Sequence, residues 1–231
     1  MLMDGYTGQI LAGLVTTLEI SLVSLLIATG LGFSAALLSI SASTRARAIT
    51  TAYASLIRGI PDLLLMLMLF YGGQIVVNTL ITWVGLVVQL ELNQFLSGAL
   101  TLGFIYGAYF METFRGALMA IPPGQAEAAR AFGMRTIQVN LRILFPQMVR
   151  FALPGFTNNW LVVSKATALV SVIGLQDMMY RAKQAGSASH DPFSWLLLAG
   201  FFYLLITSAS LALLKLVERK YSAGVRQGNP S

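Results

Sequence analysis

The 231-residue chain contains no cysteine and a single histidine, His190. The first absence excludes a disulfide framework, a thiolate metal site and a cysteine nucleophile. The second excludes a multi-histidine metal centre. Charge is scarce as well: 10% of residues are Asp, Glu, Lys or Arg, against about 25% in an ordinary soluble domain. Between Asp4 and Arg45 the only charged side chain is Glu19. The G-x-x-x-x-G-K-[ST] loop that cradles nucleotide phosphates is missing, so the chain does not bind ATP in that manner. Neither H-E-x-x-H nor G-x-S-x-G occurs, which removes the commonest sequence signs of an enzyme. No basic stretch precedes the first apolar run, so the sequence predicts a retained membrane segment and not a cleaved signal peptide.

What is present is apolar length. Hydrophobic residues make up 56% of the chain, and the mean hydropathy is +0.74. That much apolar surface needs lipid as its solvent, so the net charge of +6, from 15 Lys+Arg against 9 Asp+Glu, is read as membrane topology and not as nucleic-acid binding. A hydrocarbon core of ~30 Å takes about 20 apolar residues to cross. Five segments meet this requirement, at about 10–38, 53–76, 95–118, 151–175 and 192–214, with a short outer segment after the second. The expected fold is therefore all-α and polytopic, a single membrane domain over residues 1–231 with no internal repeat. Arg45, Arg47 and Arg58, then Arg115, Arg130, Arg135, Arg142 and Arg150, then Lys215, Arg219, Lys220 and Arg226 fall on one side; the other has only Arg181 and Lys183. The positive-inside rule makes the first side cytoplasmic, with the N-terminus periplasmic and the C-terminus cytoplasmic.

The loop at about 119–150 is long for a chain with so little soluble mass. Pro122-Pro123 suits a helix start, because proline needs no donor partner there. Ala126, Ala128, Ala129 and Ala131 favour helix, Glu127 suits its positive end, and Gly133 stops it. A second helix is expected with Ile137, Leu141 and Leu144 on one face, closed by Pro146. A small helix of this kind docks into another protein or lies on the membrane surface; periodicity alone leaves both open.

Glu127-Ala128-Ala129, followed by Gly133 and Pro146, resembles the EAA loop that marks membrane subunits of bacterial ABC importers. Ile57-Arg58-Gly59-Ile60-Pro61, the run from Phe104 to Tyr109 through Glu112, Arg115 and Gly116, and Lys165-Ala166-Thr167-Ala168-Leu169-Val170-Ser171 are similar to the polar amino-acid branch of that family, of the HisQ type. The resemblance covers nearly the whole chain and departs at Ala166, where Ser or Thr is common. It implies the MetI-like fold of type I importers and import of histidine, arginine, lysine and ornithine by alternating access. Opine importers are very similar, and an ion-coupled secondary carrier is the alternative from a different class. It further implies a paralogous HisM-like membrane subunit, two HisP-like ATPase subunits and a periplasmic HisJ/ArgT-like binding protein. ATP and magnesium would belong to the ATPase, with no cofactor on this chain and no catalytic residue.

In that frame Glu127, Ala128, Ala129, Arg130 and Gly133 are the expected coupling residues, and Arg135 is a further candidate for pairing with the ATPase. Charged groups inside spans are costly and mark function, so Glu112, Glu19 and Lys165 are candidates for the substrate pathway, with Glu112 first. Asn158 and Asn159 join them as polar residues of the fourth span. An internal pairing of Glu112 with Lys165 or Arg115 is the plainer expectation. Gly30-x-Gly32-x-x-Ala35 matches a relaxed dinucleotide fingerprint but lacks a preceding strand, so the match is accidental. Gly103-x-x-x-Gly107 is expected to pack helices closely, Met66 and Met68 to pack or face lipid, and His190 to sit on the outer surface.

Overall fold

The computed structural model describes residues 3–41, 43–83 and 93–222, all of them helical or in short connections, with no strand among them. The helices are α1 (Met3–Ser39), α2 (Thr44–Gly59), α3 (Asp62–Trp83), α4 (Gln94–Met119), α5 (Pro123–Ala131), α6 (Thr136–Val139), α7 (Phe145–Ala166), α8 (Met178–Ser189) and α9 (Pro192–Ser222). A π-helical turn, Asn140–Leu144, joins α6 to α7, and a 3-10 segment, Thr167–Ile173, follows α7. Three described helices are long and apolar enough to cross a membrane, over Tyr6–Ser39, Asp62–Trp83 and Pro192–Arg219. A fourth is added if Thr136–Ile173 and Met178–Ser189, bent by 53°, count as one span. Arg226 and the end of the expected outer segment, at 84–92, lie outside the described residues.

The core forms where α4 is clasped by α1, α2, α3 and α7. Asn93 starts α4 by accepting the Phe95 and Leu96 amides on its side chain, the first at 2.8 Å. The helix then buries most of its residues, among them Leu102, Ile105, Tyr106, Phe110 and Met111. Leu96, Leu100 and Phe104 form the one exposed apolar stripe of α4, and most of its Ser, Thr and Gly residues lie on the buried faces. The α1–α4 seam is close because its contact points are glycines. A Cβ on Gly32 would come within 2.9 Å of the Gly107 carbonyl, and one on Gly103 would overlap Ile27. The Gly103/Gly107 pair therefore packs helices, as expected, and the Gly30–Ala35 stretch is plain helix within α1. A second, smaller cluster of Ile10, Met178, Ala185 and Trp195 binds the start of α1 to α8 and α9. There Thr17 accepts the Met178 amide at 3.1 Å.

Two expected segments differ. The span at 53–76 is interrupted: α2 ends at Gly59 and α3 begins at Asp62. Pro61 is the cause. It lacks a donor and holds the preceding residue extended, and Ile60 has φ −113° and ψ 139°. Pro146 does not close the helix before it. It stands at the start of α7 directly after the π turn, whose wider turn makes room for the ring, and the helix continues through it. The Phe145 amide there bonds to the Asn140 carbonyl, five residues back.

Candidate functional site: the loop after α4 and a polar cluster at the α2–α3 break

The loop after α4 is built from local rules. Pro123 occupies the first turn of α5. At the other end Gly133 turns left-handed, with φ +78°. Its amide bonds to the Arg130 carbonyl at 2.9 Å, and the Met134 amide reaches the Ala129 carbonyl at 3.2 Å. These two bonds make a Schellman stop, which fixes where the helix ends and which way the chain leaves. Arg135 then caps α6 through its backbone amide, donated to Gln138 Oε1 at 2.9 Å.

The tripeptide at the heart of α5 splits between two faces. Ala129 is 7% exposed and packs on its own chain, while Glu127, Ala128 and Arg130 face outward. Gly133 and Arg135 are exposed as well. Next to them stands Phe132, 90% exposed, with Ile137 at 65% and Leu141 at 63% continuing the apolar surface through α6 and the π turn. Phe132 was not singled out from the sequence. Its signal was present, an aromatic residue directly before the helix-stopping glycine, where the chain has no interior left to offer it.

The expected pathway residues fall in different places. Glu112 and Arg115 pair at 3.2 Å, both partly exposed, close to the α5 end of α4. Asn159 is buried and donates its Nδ2 to Thr113 Oγ1 at 3.0 Å, beside the close approach of Gly155 to Thr113. Asn158, Lys165 and Glu19 are exposed on α7 and α1 and do not meet Glu112. Met66 is buried, Met68 and His190 exposed.

Another group converges instead at the break between α2 and α3. Tyr106 Oη donates to Asp62 Oδ2 at 2.8 Å. The Arg58 guanidinium lies 5.8 Å above the Tyr109 ring. The two tyrosine rings are 5.5 Å apart. One turn earlier, Tyr53 Oη donates to the Phe104 carbonyl. Arg58 sits in the last turn of α2 and Asp62 in the first turn of α3. Each charge is thus at the helix end whose dipole favours it. Among the described residues, no group of three or more His, Cys, Asp or Glu is placed to hold a metal.

Comparison with known proteins gives the family. Residues 28–223 match the family described as the binding-protein-dependent transport system inner membrane component. The chain is 46% identical to the histidine/lysine/arginine/ornithine transport system permease protein HisQ of Salmonella typhimurium, over 97% of this chain and 98% of that one. It is 35% identical to the octopine transport system permease protein OccQ of Rhizobium radiobacter, over 97% and 95%. A solved structure, described as an amino acid ABC transporter with histidines, superposes with a TM-score of 0.79 at 28% identity, covering 94% of this chain and 96% of that one. The expected MetI-like, all-α permease fold is the one found. The chain belongs to the family of inner-membrane components of binding-protein-dependent, ABC-type importers.

Proposed function

We propose that this chain is one of two membrane-spanning subunits of an ATP-driven importer for cationic amino acids: histidine, arginine, lysine and ornithine. The observation that carries the reading is the α5 surface, where Glu127, Ala128 and Phe132 stand exposed on a helix fixed at both ends. An exposed aromatic beside small residues is a docking surface in want of a partner. The partner fitted to it is the ATPase subunit, HisP-like, of which two copies would serve this chain and its HisM-like paralogue. Arg130, exposed on the same helix, would pair with acidic groups of the ATPase. The family's dependence on a binding protein stands against a carrier driven only by an ion gradient.

In this reading the N-terminus is periplasmic, and a HisJ/ArgT-like protein delivers cargo from that side. Closure of the ATPase pair on ATP and magnesium moves α5 as a rigid body. The motion passes through α6 and the π turn into α7, which packs on α4 and α9. The cargo class is supported by the 46% identity to a permease of that name over nearly the full length. The test is ATP hydrolysis by the complete complex in lipid discs, with binding protein loaded by each amino acid in turn. Stimulation by histidine or arginine that disappears with Glu127→Lys supports the cargo and the coupling role. Stimulation by octopine alone would keep the importer and replace the cargo. No stimulation by any loaded binding protein, from an ATP-competent complex, overturns the proposal.

A further inference from the structure

A groove of about 420 Å³ lies between α1, the end of α4 and α7, and none of the roles given above uses it. Phe33, Phe114, Phe145 and Phe156 line it with Gly30, and Thr29 carries the single hydroxyl among the lining residues. The walls are preformed: the Phe33 ring meets Phe114 and Phe145 edge to face, at 5.8 and 6.4 Å between centroids. A Cβ added at Gly30 would meet nothing within 4 Å, so open space begins at the α1 backbone. Along α7 the groove runs from Phe145 to Phe156. Eleven residues at 1.5 Å each make about 16 Å, the depth of one leaflet of a ~30 Å hydrocarbon core.

The Phe145 end is also the charged end. Arg150 precedes the lining residue Leu153 by three positions, and Arg142 lies two turns before Arg150. Residues so spaced are neighbours on a helix surface, so both arginines stand along the Leu153 edge of the groove. Arg142 is exposed and Arg150 partly so. Among the described residues no acidic side chain pairs with either, in contrast to Arg115.

We infer that this groove holds one acyl chain of an anionic phospholipid of the cytoplasmic leaflet, with the lipid phosphate on Arg142 and Arg150. The inference goes beyond the importer reading and takes from it only the side of the membrane. Shape selects the occupant. Spread over about 16 Å, the 420 Å³ give a cross-section of about 26 Å², a third of what a helix ~10 Å across would need. A neighbouring helix is therefore too wide, and a single hydrocarbon chain fits. Charge selects the headgroup: guanidinium groups take phosphate bidentately, and basic pockets between membrane helices on the cytoplasmic side suit anionic lipids. A lipid seated here touches Phe145 directly after the π turn, and so braces the junction between α6 and α7.

The test uses the complete permease–ATPase complex in lipid discs. Phosphatidylglycerol and phosphatidylcholine, each with a diazirine in the acyl chain, are added in turn at equal mole fraction, and labelled peptides are mapped by mass spectrometry. Phosphatidylglycerol is expected to label 29–33 and 145–156 roughly fivefold to thirtyfold more than phosphatidylcholine, the worth of one or two arginines at a charged surface. Arg142→Gln with Arg150→Gln is expected to abolish that preference. Gly30→Leu fills the groove from a position with free space around it, and is expected to remove labelling by both lipids. Equal labelling by the two lipids overturns the anionic site. Absence of label from both segments in the wild-type complex shows protein covering the groove and overturns it as well. If Gly30→Leu does not assemble, the arginine variants decide: a retained preference for phosphatidylglycerol overturns the site. Stimulation of ATP hydrolysis by loaded binding protein, measured in the same discs, reports separately on the importer reading. Lost lipid preference with stimulation intact sinks this site alone, and retained preference without stimulation sinks the importer reading alone.

Discussion

The α1–α4 seam and the α5 loop are both rich in small residues, and they use them to opposite ends. In the seam, Gly32, Gly103 and Gly107 let two helices of the same chain meet with nothing between them, and the contact is complete. In α5 the alanines and Gly133 leave a surface that the chain does not complete, with Phe132 projecting from it. Small residues alone therefore do not say whether a contact is internal or external. What separates the cases is the neighbour: branched and aromatic side chains of α1 and α4 on one side, open space on the other.

The largest effect that would break this contrast is Phe132→Ala. If the aromatic is an anchor for the ATPase, its loss weakens association of the ATPase by about 2 kcal/mol, or roughly thirtyfold, while the membrane subunits remain folded. Unchanged ATPase affinity in a pull-down titration would show that the surface serves something else. Gly32→Val tests the seam from the other side. Its branches meet α4 backbone, so it is expected to destabilise the subunit by about 1–3 kcal/mol, seen as a lower unfolding temperature in detergent with ATPase affinity retained wherever the complex assembles. Gly133→Ala forces a Cβ into a left-handed turn and costs about 1–2 kcal/mol; the expected readout is lower coupling, with more basal ATP hydrolysis per amino acid imported. Smallest is Arg115→Gln. The ion pair with Glu112 is partly exposed, and such pairs are worth about 0–1 kcal/mol. Uptake is expected to stay near the wild-type rate, and its collapse would return Glu112 to the transport path.

How far the sequence carried this reading differs between the same regions. Apolar length gave both ends of α4, the end of α1 and the start of α9 to within a residue, but α1 begins at Met3 and α9 runs on to Ser222 through Lys215, Glu218, Arg219 and Lys220, because a helix does not stop where its apolar run does. The limits of α5 followed from Pro123 and Gly133, because proline and glycine act through the backbone and need no tertiary knowledge. The α2–α3 break did not follow. The first half of α2, with Arg45 and Arg47, has the composition of a loop, and it is packing of α2 against both α1 and α4 that makes it part of the bundle. For that reason Arg58 was counted as a topology marker and Asp62 was passed over, although Pro61 between them was a visible sign of a broken helix. The pairing of Asp62 with Tyr106 crosses 44 residues of sequence, and no local pattern reports it. Phe132 was overlooked for a different reason: a single exposed aromatic has no periodicity to betray it.

The two stops on α5 have a consequence for how such importers diversify. A helix of nine residues whose start is set by a proline and whose end is set by a glycine turn carries its own shape with it. It is a portable cassette. Ala129, turned toward its own chain, is the peg that seats it, and Glu127, Ala128 and Phe132 are the face it shows. On the docking role proposed for α5, exchanging the shown face would change the ATPase partner while keeping the peg, and changes in the long helices would leave the cassette intact.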